Sequence, residues 1–134
     1  MSDPAPLPTP VVLLVDDEPL IQDILTSALD DGGFAVVLAD NAQQAMAALE
    51  ASSGQDFVGL ITDVNLGSPR TGWDVARRAR ELCPTLPVVY VTGDSEREWA
   101  AQGVPFSALL AKPFAPAQVV VALASLINKP RSHI

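Results

Sequence analysis

Short apolar runs alternate along this chain with longer stretches in which apolar residues return at helical spacing. Val11 to Val15 is a continuous apolar run that stops abruptly at Asp16-Asp17-Glu18, the pattern of a strand buried on both faces. Pro19 then opens a segment in which Ile21, Ile24, Leu25, Ala28 and Leu29 recur with helical periodicity, and Gly32-Gly33 closes it as a C-terminal cap. The alternation continues with a strand over Phe34 to Leu38, a helix over Ala42 to Ala51, a strand over Phe57 to Thr62 and a helix over Gly72 to Leu82. A strand over Pro87 to Val91, a short helix around Ser95 to Ala101, a last strand over Ala108 to Ala111 and a helix over Pro116 to Ile127 complete the predicted order.

Alternating strands and helices, with several strands apolar on both faces, predict a doubly wound α/β fold: one parallel sheet flanked by helices. Ligand sites of such sheets lie beyond the carboxyl ends of the strands. The polar residues expected there are Asp16, Asp17, Asp63, Thr92 and Lys112. The expected organisation is a domain over residues 11–128 between a flexible Pro-rich tail, 1–10, and a flexible tail, 129–134.

Composition narrows the chemistry. A chain of 134 residues, about half apolar, matches one domain with one sizeable core and no output domain, and Met1 with two polar tails suits a complete small protein. Sixteen acids against eight Lys and Arg leave a net charge of -8, which disfavours direct nucleic-acid binding. One cysteine, Cys83, excludes an intramolecular disulfide and suits a reducing cytoplasm. No basic segment leads into an apolar run at the N-terminus, and no apolar stretch is long enough to insert in a membrane as a helix.

Asp16, Asp17 and Asp63 would converge at one sheet edge if their strands were adjacent, and converging carboxylates call for a hard divalent cation bound through oxygen. Mg2+ suits best, because it accepts one or two carboxylates, keeps several waters and leaves room for a phosphoryl oxygen. Phosphoryl transfer needs a nucleophile, a metal and donors around the transferring group. Asp63 can attack as a carboxylate, Lys112 can neutralise a phosphoryl oxygen, and Thr92 with the Gly93 amide can donate neutral hydrogen bonds. Taken singly, each has a structural explanation: Asp16 and Asp17 as acids before a helix, Asp63 as a turn residue, Thr92-Gly93-Asp94 as a turn and cap. Their shared position at C-terminal strand ends, in order, gives the set its meaning.

The segments Val-Asp-Asp-Glu at 15–18, Ile-Thr-Asp-Val-Asn at 61–65, Val-Thr-Gly at 91–93 and Lys-Pro-Phe at 112–114 resemble the receiver domains of two-component response regulators, over residues 11–128. The resemblance implies a flavodoxin-like sheet of order 2-1-3-4-5, as in chemotaxis receivers. It implies Asp63 as phosphoacceptor, Asp17 as a direct Mg2+ ligand, Asp16 as a ligand chiefly through water, and Asn65 lending its backbone carbonyl to the metal. It also implies Thr92 as the switch hydroxyl and Lys112 as the cation on the phosphoryl group, followed by a cis bond to Pro113. The implied partners are a histidine kinase or histidine phosphotransfer protein and an effector protein, with dimerisation a further option and autodephosphorylation the return step.

Two departures stand out. Leu109 occupies the position, three before the lysine, where many receivers carry a Tyr or Phe. Leu66 to Thr71 replaces the common Met-Pro loop, and the polar stretch from Ser95 to Phe106 predicts a short fourth helix and a signalling surface that changes order. Asn65 and Asp94, two positions beyond Asp63 and Thr92, are expected to tune the lifetime of the acyl phosphate. Trp73 and Trp99 read as core or surface residues, Arg77, Arg78 and Arg80 as a solvated basic strip open to an acidic partner, and His133 and Cys83 as passive. The leading expectation is a stand-alone response regulator whose output is contact with another protein; competing readings are a relay shuttle or phosphate sink, a Mg2+-dependent phosphatase or flavodoxin-like cofactor protein, and a scaffold. The second is disfavoured because acids fill the place of a phosphate loop and Asn65 that of a general acid. The last is disfavoured because every chemical group is present.

Overall fold

The computed structural model describes residues 8–52, 56–93 and 96–129. Asp94, Ser95, His133 and most of the two expected tails lie outside the described residues. The elements run β1 (Val11–Val15), α1 (Pro19–Asp31), β2 (Ala35–Ala39), α2 (Ala42–Ser52), β3 (Gly59–Asp63), α3 (Gly72–Leu82), β4 (Val88–Thr92), α4 (Trp99–Gln102), β5 (Ser107–Ala111) and α5 (Pro116–Asn128). A single 3-10 turn, Glu96–Glu98, leads into α4. All strand pairings are parallel and the order is β2-β1-β3-β4-β5, as the resemblance implies.

Side chains alternate across β1 and so divide the core in two. Leu13 and Val15 join Leu60, Val88 and Tyr90 under α2 and α3, whereas Val12 and Leu14 join Ile61, Val89 and Val91 under α1 and α5. Each fully buried Leu, Val or Ile contributes on the order of 1.5–3 kcal/mol relative to exposure. The three central strands carry most of them, which makes the sheet a rigid base for its C-terminal loops.

Local chemistry sets the ends of the helices. Pro19 begins α1, and the Gly32 amide donates to Ala28 and Leu29 carbonyls before Gly33 turns left-handed at φ 91°. At α3 the Asp74 carboxylate accepts the Thr71 amide at 2.9 Å, a capping bond beside the positive end of the helix. Several strand ends differ by a residue from the sequence expectation. β2 starts at Ala35 because the Phe34 amide is committed to the Leu29 carbonyl at 2.9 Å. β4 starts after Pro87, which has no N–H to offer a ladder, and extends to Thr92, whose carbonyl accepts the Lys112 amide at 2.7 Å. α4 is one turn long, in line with the Gly103 and Pro105 that follow it.

Candidate functional site

The sheet order reverses between β1 and β3, so the loops after these strands diverge and leave a crevice at their C-terminal ends. Asp16 and Asp17 follow β1 and Asp63 is the last residue of β3, paired with Val91. Ligand atoms of Asp16, Asp17, Glu18 and Asp63 all lie within 4.8 Å of one another. Asp16 is fully buried and Asp63 only 4% exposed, while Asp17 and Glu18 face solvent.

The hydrogen bonds within this cluster are incomplete. Oδ1 of Asp16 accepts the Glu18 amide at 2.9 Å, but its buried Oδ2 has no partner. Oδ1 of Asp63 accepts the Asn65 amide at 3.3 Å and Oδ2 accepts from Lys112 Nζ at 3.1 Å. Lys112 Nζ also donates to Glu18 at 3.2 Å, so one ammonium bridges the phosphoacceptor candidate and the first residue ahead of α1.

These surroundings govern protonation. Burial pushes the Asp16 carboxyl up from 3.8 to about 6, and the neighbouring Asp63 charge adds to the rise. Burial also raises Asp63, against the opposing pull of the Lys112 hydrogen bond and charge. Desolvation works against the Lys112 charge, yet its bond to Asp63 and the surrounding acids hold it above its ordinary value. An unpartnered buried carboxylate oxygen among crowded acids fits a hard cation bound through oxygen, and this cluster could hold one.

The other predicted residues lie at the same edge of the sheet, at the C-terminal ends of β4 and β5. Thr92 is buried at the end of β4 and Gly93 exposed just beyond it. The Lys112–Pro113 bond is cis. Three contributors escaped sequence reasoning as site residues. Glu18 reads as a helix-flanking acid, and nothing in its spacing signals a lysine 94 positions away. Gln22 donates to the Asp16 carbonyl at 2.6 Å and to Asp40 at 2.7 Å, bracing the β1 loop. Gly72 lies so close to Asp63 that an added Cβ would overlap its carbonyl oxygen, and only a glycine lets α3 begin there. In the loop before it, Gly67 adopts φ 68° beside Asp17.

The basic strip is not an open one. Arg77 pairs with Asp74, Arg78 with Glu50 and Glu81, and Arg80 donates to the carbonyls of Leu86, Pro105 and Phe106. Trp73 is a core residue whose ring centroid lies 4.6 Å from that of Tyr90, whereas Trp99 is 39% exposed and donates to Ser107 Oγ at 3.1 Å.

This five-stranded fold with acids at its β1 and β3 ends is that of receiver domains. The family model of the response regulator receiver domain matches residues 12–124, and the chain belongs to that family. A receiver protein of Sinorhizobium medicae superimposes with a TM-score of 0.85 at 38% identity, covering 90% of this chain and 95% of that one. The chemotaxis response regulator CheY4 of Vibrio cholerae gives 0.74 at 26% identity, over 89% and 99%. The phosphate regulon transcriptional regulatory protein PhoB of Pseudomonas aeruginosa is 30% identical over 122 residues, 88% of this chain and 52% of that protein. The chain thus spans about half the length of PhoB and of the CusR regulator. Membership implies phosphoryl acceptance on an aspartate, within a family whose partners are histidine kinases or phosphotransfer proteins. Among the described residues, no helix is long and apolar enough to cross a membrane.

Proposed function

We propose that this chain is a response regulator receiver in which Asp63 accepts the phosphoryl group from a phosphohistidine partner with Mg2+, and which signals through protein contacts. The observation that carries this reading is the Asp63 carboxylate at the end of β3, bonded to Lys112 at 3.1 Å and set in an acidic cluster with the orphaned Asp16 Oδ2. An Asp63 oxygen forms the new bond to phosphorus as the nitrogen–phosphorus bond of the donor breaks, and the departing imidazole keeps the electron pair and is protonated by solvent. Lys112 moves its hydrogen bond from Asp63 to a phosphoryl oxygen, and Thr92 and the Gly93 amide donate to the others. Asp16, Asp17, Asp63 and the Asn65 carbonyl would hold the Mg2+, which neutralises charge on the transferring group. Water later displaces Asp63 from phosphorus and restores the carboxylate, so the protein is a switch that turns over its own label rather than an enzyme acting on another substrate.

The receiver unit in this reading covers 11–128, between tails 1–10 and 129–134. Beside Lys112 an apolar cleft is lined by Ile21, Ile24, Pro113, Phe114 and Pro116, and neighbouring Leu20 is 69% exposed. Apolar surface next to the phosphoacceptor supports docking of a protein donor, a histidine kinase or histidine phosphotransfer protein, there. The net charge of -8 supports an effector that is a protein rather than a nucleic acid, and the lone Cys83 supports a cytoplasmic setting.

Intact-mass analysis after incubation with acetyl phosphate and Mg2+ tests the reading. One phosphoryl adduct is expected in the wild type and none in Asp63→Asn or with a chelator. Absence of any adduct from the wild type overturns it.

A further inference from the structure

The side chain at 109 that many receivers use as an aromatic reporter is a leucine here, and its cross-strand neighbour is Tyr90. Val88 and Tyr90 face the α2–α3 core while Val89 and Val91 face the other, so alternation puts Thr92 on the same side as Tyr90. Adjacent strands are only about 4.8 Å apart, and Leu109 packs against the same core cluster as Tyr90. With a leucine at 109, Tyr90 is the aromatic side chain of this strand pair.

Tyr90 is fully buried, and its hydroxyl oxygen accepts the Val104 amide at 3.0 Å. Val104 belongs to the turn that joins α4 to β5. Side chains hold this turn from several directions. Ser107 Oγ donates to the Val104 carbonyl at 2.6 Å, Trp99 donates to the same Ser107 hydroxyl, and Arg80 donates to the Pro105 and Phe106 carbonyls. Within the turn Phe106 takes φ 58°, a left-handed conformation that bulky residues adopt only when their surroundings impose it. A strained turn held by side-chain bonds can change state when one of those bonds is lost.

We propose that Tyr90 is the reporter of this receiver: its hydroxyl ties down Val104 in the unphosphorylated form, and phosphorylation at Asp63 draws the buried Thr92 toward the phosphoryl group, shifts Tyr90 two residues back on the same face of β4, breaks that bond and releases the 103–106 turn as a partner surface. The inference rests on the reading of Asp63 as phosphoacceptor. It places the output on a backbone amide of the turn, reached along one face of β4.

Amide exchange at Val104, followed by NMR in the full chain with and without excess acetyl phosphate and Mg2+, tests it, with intact mass recording the adduct. In the wild type, protection of Val104 is expected to fall on the order of tenfold upon phosphorylation, the effect of losing one buried hydrogen bond. Tyr90→Phe keeps the ring and removes the hydroxyl. In that variant Val104 is expected to be equally unprotected before phosphorylation, with no further change after it, while the adduct still forms. Unchanged Val104 protection in a fully phosphorylated wild type overturns the inference, whether or not the variant folds, and so does a Tyr90→Phe protein with wild-type protection and response. Failure of the adduct itself removes the Asp63 reading and this inference together.

Discussion

Asp16 is the residue at which burial and charge are most directly opposed, and Asp16→Asn should therefore stabilise the metal-free protein at neutral pH. The side chain is fully buried, one oxygen lacks a partner, and the Asp63 charge lies close by. A carboxyl raised from 3.8 to about 6 resists ionisation. At full strength that rise corresponds to roughly 3 kcal/mol, and screening by the solvent that reaches the cluster where Asp17 and Glu18 are exposed brings it to about 1–2 kcal/mol. The sign follows from proton counts: between about pH 4 and pH 6 the folded form keeps a proton that the unfolded chain has lost, so stability falls as pH rises through that window. Urea denaturation in a chelator at pH 7.5 should show Asp16→Asn more stable than wild type by about 1–2 kcal/mol, and near pH 4 the difference should vanish because Asp16 is already protonated. Added Mg2+ should stabilise the wild type and do far less for the variant. A variant less stable than wild type at pH 7.5 in chelator, or a gap that does not depend on pH, would refute the argument.

Two further substitutions probe the packing at the two ends of the sheet, Gly72 beside the site and Arg80 at the opposite edge. Gly72→Ala would set a methyl 3.0 Å from Thr62 Oγ1 and against the Asp63 carbonyl, which cannot yield without moving the strand end. A loss of about 1–3 kcal/mol in denaturation is expected, along with phosphorylation by acetyl phosphate slowed at least about tenfold, and wild-type values of both would contradict the packing argument. Arg80→Met keeps the aliphatic stem but removes the donors to three carbonyls, so a loss of about 1–3 kcal/mol is expected; a change under about 0.5 kcal/mol would mean that these contacts are idle.

Much of this architecture can be read from the sequence because local and global signals agree. The α3 boundaries at Gly72 and Leu82 coincide with the expectation, since Thr71 and Asp74 make a local cap and the apolar spacing is helical throughout. Asp16, Asp17, Asp63 and Lys112 come together as the strand-end argument requires, because a parallel sheet delivers every strand's C-terminus to one edge. Strand ends are less legible, as at Phe34, where a helix cap claims an amide that propensity alone would assign to the strand. What the sequence conceals is pairing at a distance. Glu18 meets Lys112, Tyr90 meets Val104, and Arg80 caps Pro105 and Phe106, and none of these partners shares a periodic element with the other. The arginine strip shows the same limit in reverse: its charges look available in sequence and are taken up by acids and carbonyls in the fold.

On this reading Asp63 carries the phosphoryl group. Acyl phosphates are reduced by borohydride, so treating the protein with acetyl phosphate and Mg2+, reducing it, and sequencing its peptides by mass spectrometry locates the modified carboxylate. Homoserine is expected at position 63 alone, formed only with the phosphoryl donor and Mg2+ present. Homoserine at Asp16, Asp17 or another acid, with position 63 unchanged, would contradict it.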